Sequence, residues 1–148
     1  METWRSSTKN TPDMVRPPAQ AVVTRSFRAH PSALFEIRQF VRGLAEGQTF
    51  PSLMTGDLLV AVSEACANSI LHTNTREVRV TWKMSERCAE VHVQDEGIFR
   101  RRVRMPEVEG TGGHGIPLMT ALVDELSIRE GTPASPGTLV RLVKCKTQ

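Results

Sequence analysis

Two helical periods follow one another in this chain before a second strand appears, and that ordering excludes most ways of building an alternating α/β domain. A short β-rich stretch, Ala21–Phe27, comes first. In HPSALFEIRQFVRGLAEG, Leu34, Ile37, Val41 and Leu44 recur at helical spacing, with Pro31 suited to the first turn and Gly47 to the stop. A second helix is predicted from Thr55 to His72, with Leu58, Val62, Ala65 and Ser69 on one face beside Cys66. Glu77–Met84 and Ala89–Gln94 then alternate apolar and polar residues, as half-buried strands do, around a turn over 85–88. A loop over 96–113 leads to a third helix from Gly115 through Leu122, with Pro117 in its first turn. The strands Glu125–Arg129 and Thr138–Lys144, separated by GTPASPG, close the chain. The order β-α-α-β-β-loop-α-β-β is not βαβ alternation. It predicts an α+β two-layer sandwich, a mixed and mostly antiparallel sheet with about three helices on one face.

Length and composition narrow the function classes. The 148 residues fit one domain, with 1–20 expected as a flexible tail and 21–148 as the folded unit. At 39% hydrophobic and 24% charged residues the chain reads as globular. No apolar run approaches the roughly 20 residues of a membrane span, and the first residues lack the apolar core of a secretory signal. Cys66, Cys88 and Cys145 are odd in number and widely spaced, matching neither a disulfide framework nor a C-x-x-C metal site, so a reducing cytoplasm is the expected home. The net charge of +3 owes much to Arg100, Arg101, Arg102 and Arg104. With 5% aromatic residues and no tyrosine there is little to stack on bases, so direct nucleic-acid binding is not expected and the basic run fits a nearby phosphate site better.

Four constellations could carry chemistry. Glu64 and Asn68 lie one turn apart on an otherwise apolar helix, where a carboxylate and an amide need something to satisfy them. Asn offers a neutral oxygen to a hydrated Mg²⁺ on phosphates, and Glu can deprotonate a nucleophile. A solvent-facing stripe is the plainer alternative for the same pair. Asp95, at a strand end beside Glu96 and Gly97, can accept from an exocyclic amine such as adenine N6 while the glycine lets a ring approach; an ordinary Asp/Gly turn is the alternative. Gly110-Thr111-Gly112-Gly113-His114-Gly115 stands directly before a helix, where freed backbone N–H groups and the helix N-terminus favour an anion, unless the run is only a flexible loop. It is not a G-x-x-x-x-G-K-[ST] loop, and no βαβ unit precedes it to make a dinucleotide fold. Thr138, after Gly137, could support an adenine contact through water.

In order and spacing these segments resemble the N, G1, G2 and GT boxes of the Bergerat-type ATP-binding fold shared by gyrase, a heat-shock chaperone, histidine kinases and the MutL repair protein. Single-domain size and the phrases AVSEACANSILHT and GGHGIPLM resemble bacterial anti-sigma-factor serine/threonine kinases, over about residues 21–144. The resemblance implies an ATP- and Mg²⁺-dependent kinase that sequesters a sigma factor and phosphorylates a serine on an anti-anti-sigma partner of the STAS type. It implies that Glu64 is the catalytic base and Asn68 the Mg²⁺ ligand. Asp95 would read adenine with Gly97 beside it, Gly113, His114, Gly115 and Ile116 would face phosphate in the lid, and Thr138 would support adenine. Proteins of this kind often dimerise. His72 matches a histidine frequent after the Asn, with a packing or capping role. Two positions depart from the pattern: Phe99 stands where D-x-G-x-G has its last glycine, and Thr111 where some family kinases carry arginine. They motivate an alternative, an ATP- or ADP-gated binding module with little or no phosphotransfer. The catalytic half of a sensor histidine kinase is disfavoured, because residues 1–50 hold no long helical hairpin with a phosphorylatable histidine.

Overall fold

A computed structural model describes residues 21–98 and 115–147. The expected tail over 1–20 and most of the expected loop, including Phe99 and Thr111, therefore lie outside the described residues. Within them the elements run β1 (Ala21–Arg28), α1 (Ala33–Gly47), α2 (Ser52–His72), β2 (Glu77–Met84), β3 (Cys88–Asp95), α3 (Gly115–Leu122), β4 (Glu125–Thr132) and β5 (Ser135–Cys145). This is the order that the periodicities predict.

α1 buries Ala33, Ile37, Val41 and Ala45, a stripe spaced by four residues, with Leu34 and Leu44 half-buried at its margins. α2 starts at Ser52, three positions before the expected Thr55, because Pro51 is extended and its carbonyl accepts both the Thr55 N–H at 2.9 Å and the Thr55 hydroxyl at 3.0 Å. Leu58, Leu59, Ala61, Val62, Ala65, Cys66 and Ser69 are all buried, a wider arc than one face of a surface helix. The width follows from position: α2 lies between α1 and α3 and over the sheet.

The sheet has the order β1-β2-β3-β5-β4, and each neighbouring pair is antiparallel. The expected mixture of directions has a physical source. β3 and β4 do run the same way, with a single helix between them in the described chain, but β5 inserts between them and no parallel pair forms among the described residues. Along β2 and β3 every second residue is buried: Val78, Val80, Trp82 and Met84, then Ala89, Val91, Val93 and Asp95. These meet the helices, and each fully buried apolar side chain contributes about 1.5–3 kcal/mol. The opposite face is polar. There Arg141 on β5 bonds Glu90 on β3 at 2.7 Å and Glu125 on β4 at 3.2 Å, and His92 lies 2.6 Å from Glu90.

Two expectations need correction. The segment GTPASPG is not a free loop: β4 continues to Thr132 and β5 begins at Ser135, leaving only Pro133 and Ala134 between them. Pro136 is tolerated because it precedes Thr138, the first β5 residue paired with β3. The cysteines also depart from the expectation that their number and spacing match no disulfide framework. β3–β5 register sets Cys88 directly opposite Cys145, and the two form a disulfide. Strand pairing, not spacing along the chain, makes them neighbours. Cys66 is free and fully buried, and burial pushes its thiol up to about 12, which leaves it inert.

Candidate functional site

Three elements end or begin at one edge of the sandwich: α2 and β3 end there, and α3 begins there. Glu64 and Asn68, half-buried on α2, point at the first residue of α3. A Cβ added to Gly115 would lie 3.4 Å from Asn68 Nδ2 and 3.4 Å from Glu64 Oε1, so the absent side chain leaves a gap against both polar heads. α3 then runs back along α2. Its Leu122 carbonyl accepts from Lys144 Nζ at 2.8 Å, and the same ammonium pairs with Asp57, near the start of α2, at 3.3 Å. The N-terminal end of α3, where partial positive charge gathers, is thereby held toward Glu64 and Asn68.

Asp95 closes the site from the sheet. It is only 3% exposed, yet both carboxylate oxygens have donors: Ser69 Oγ gives its proton to Oδ2 at 2.5 Å, and the Gly97 N–H bonds Oδ1 at 3.0 Å. Such donors offset the desolvation of a buried carboxylate. Thr138 is its strand partner on β5 and is also buried. The preceding Gly137 has φ +133°, and a Cβ there would come 2.7 Å from the Asp95 carbonyl, so the close approach of β5 to Asp95 depends on glycine.

Glu64, Asn68, Gly115, Asp95 and Thr138 are therefore brought to one region, linked by the Ser69–Asp95 bond next to Asn68. Gly97 is beside Asp95, but the space its missing side chain frees is filled: a Cβ would lie 2.6 Å from both Thr73 Oγ1 and the Thr75 nitrogen. Its smallness serves the 73–75 turn. Ile116 follows Gly115 and is exposed. Gly113 and His114 lie outside the described residues. His72 is exposed at the last position of α2.

Ser69, Asn74 and Thr75 also bond into this region, although helical periodicity does not single them out as site residues. Asn74 Oδ1 accepts the Ile98 N–H at 2.9 Å. Thr75 Oγ1 accepts the Glu96 N–H at 3.1 Å and donates to the Glu77 carbonyl at 2.8 Å. The signal that could have found them is residue type: Thr and Asn after a helix bond nearby backbone in preference to continuing it. An open hollow of 610 Å³ at this end is lined by Asp95, Thr138 and Gly137 together with Arg129 of β4. A smaller one of 330 Å³ adjoins Asp95 and Glu96 from the β2 side, lined by Arg76 and Arg79. Neither of these two is lined by Glu64 or Asn68.

The donor set suits a cation carried in by a ligand. Among the described residues no group of three or more His, Cys, Asp and Glu could hold a metal ion. Mg²⁺ commonly takes only one or two protein oxygens, the remainder coming from phosphates and water, and the Asn68–Glu64 pair matches that need.

Comparison with known proteins gives a consistent picture. Residues 27–144 match the family model of the histidine kinase-like ATPase domain. The serine-protein kinase RsbW of Bacillus licheniformis is 32% identical, over 68% of this chain and 73% of that protein. Among solved structures, the crystal structure of the RsbU and RsbW domains of Rv1364c from Mycobacterium tuberculosis superposes with a TM-score of 0.65 at 18% identity. That match covers 84% of this chain and 32% of the other, so the chain spans about a third of that longer protein and shares the fold of the matched part.

Proposed function

This chain belongs to the histidine kinase-like ATPase domain family, and from that premise we propose that it is an ATP-dependent protein serine/threonine kinase of the anti-sigma-factor type. It sequesters a sigma factor and phosphorylates a serine on an anti-anti-sigma partner with a STAS-type fold. The observation that carries this reading is the meeting of Glu64, Asn68 and Gly115 with the buried Asp95 at one end of the sandwich. The name of the Bacillus licheniformis relative, a serine-protein kinase, supports the reaction type.

Bound ATP with Mg²⁺ supplies the γ-phosphoryl group and the cation that offsets its charge. Asn68 gives a neutral oxygen to the cation. Asp95 accepts from the exocyclic amine of adenine, and Thr138 supports that contact through water. Backbone N–H groups of Gly115 and Ile116, the first residues of α3, hold phosphate oxygens, and Gly113 and His114, which precede them in the sequence, are assigned to the same phosphates. Glu64 takes the proton from the partner's serine hydroxyl. Positioning and electrostatics supply most of the rate in such transfers. Cytoplasmic residence and a homodimer belong to the same proposal. Among the described residues no helix is long and apolar enough to cross a membrane. In a reducing compartment Cys88 and Cys145 would stand as thiols, still held opposite by the register.

The test is to incubate the protein with Mg-ATP and the candidate anti-anti-sigma partner and to follow phosphoserine. Transfer should appear with wild type and vanish in Glu64→Ala, with ADP affinity retained. Transfer persisting in Glu64→Ala would remove that residue from the chemistry. Phe99 and Thr111 favour the second reading, a nucleotide-gated binding module; tight ATP binding without transfer by the wild type would select it.

A further inference from the structure

We propose that Ser69 is a positioning residue that makes this site choose a 6-amino purine over a 6-oxo purine. The inference rests on the reading of Asp95 as the group that meets the base.

Asp95 has one backbone and one side chain to hold in place, and different residues restrain each. The 73–75 turn restrains the backbone: Thr75 Oγ1 accepts from Glu96 N and Asn74 Oδ1 from Ile98 N, on either side of Gly97, which packs against Thr73 and Thr75. Strand pairing with Thr138 restrains it from β5. The terminal carboxylate torsion is a broad, soft one, and it is the freedom left over. The Gly97 N–H takes one oxygen at 3.0 Å, and Ser69 Oγ takes the other at 2.5 Å. With both oxygens held, the carboxylate plane is set.

The direction of these bonds decides what the carboxylate shows a ligand. Both contacts are donors to it, so it faces the site purely as an acceptor, with lone pairs to spare beyond the two already used. A 6-amino group donates to such an acceptor. A 6-oxo group presents another lone pair and is repelled. Ser69 is suited to this because it is itself fixed: 3% exposed, on α2 next to Asn68, with its own carbonyl accepting from Thr73 Oγ1 at 2.7 Å. Without the hydroxyl, Oδ2 loses its donor and the carboxylate can turn or recruit water, which suits a 6-oxo base better. A group that merely satisfied a buried charge would affect both bases alike.

The experiment titrates Mg-ADP and Mg-inosine diphosphate into the full chain by calorimetry. Wild type should prefer ADP. Ser69→Ala should weaken ADP roughly tenfold and leave inosine diphosphate little changed, so that the preference narrows by about the same factor. Ser69→Thr and Ser69→Val have nearly the same shape and differ by the hydroxyl. If Ser69→Ala does not fold, this pair carries the test: Thr should keep more of the preference than Val. Equal losses of ADP and inosine diphosphate, or equal ratios in the Thr and Val variants, overturn the role of Ser69 while leaving Asp95 as base reader. A wild type that binds both nucleotides equally, or neither, overturns the reading of Asp95 and this inference with it.

Discussion

Gly115 sits where any side chain would enter the gap between α3 and the polar heads of Glu64 and Asn68. An added Cβ at 3.4 Å from each is in contact without clashing, so Gly115→Ala should fold. Alanine is the better helix former by up to about 1 kcal/mol. We therefore expect a thermal midpoint equal to or above wild type, together with Mg-ADP binding weakened about tenfold by the filled gap. Unchanged affinity would separate Gly115 from the nucleotide. At this scale Glu64, Asn68 and Asp95 were legible in the sequence because polar residues interrupt apolar patterns there. Ser69, Asn74 and Thr75 were not, because their partners lie 21–26 positions away and are mostly backbone groups. The Cys88–Cys145 pair was hidden for the same kind of reason, since only the register of β3 on β5 makes them adjacent.

Between elements, the polar face of the sheet is tied by Glu90 on β3, Arg141 on β5 and Glu125 on β4. Burial pulls the Glu90 carboxyl up, but hydrogen bonds from Arg141 and His92, with their charges, outweigh it and hold the group below its ordinary 4.5. The Glu90 hydrogen bond in turn raises Arg141. A carboxyl whose folded value is depressed stabilises the fold above its unfolded value and loses that contribution as pH falls through the folded one. The pair is partly solvent-screened, so its worth is about 1 kcal/mol or less. Urea unfolding should show Glu90→Gln less stable than wild type at neutral pH, with the gap closing as pH drops below 4.5. A gap independent of pH would mean that packing, not charge, links these strands. The order of elements was legible from period alone. The start of α2 and the β4–β5 turn were not, because Pro51, Pro133 and Pro136 read as loop residues, whereas an extended Pro51 opens α2 and Pro136 lies before the ladder with β3 begins.

For the molecule as a whole, one face of an antiparallel sheet carries three helices, and the candidate site lies where α2, β3 and α3 meet at one edge. Lys144 ties the other end of that arrangement, joining β5 to Asp57 of α2 and to the last turn of α3. The helix layer and the sheet are thus joined at one end by the Ser69–Asp95 bond between α2 and β3 and at the other by Lys144. Such a frame can hold Asp95 at a set distance from Asn68 without a resident metal, which is what a site completed by its ligand requires. The most direct measurement is calorimetry of Mg-ADP with wild type and Asp95→Asn, each paired with a urea unfolding curve. The account predicts one-to-one binding by wild type and a loss of roughly 10- to 100-fold in Asp95→Asn, with the unfolding midpoint moved little. No binding heat with ADP or ATP, or a variant that loses fold and affinity in step, would contradict it.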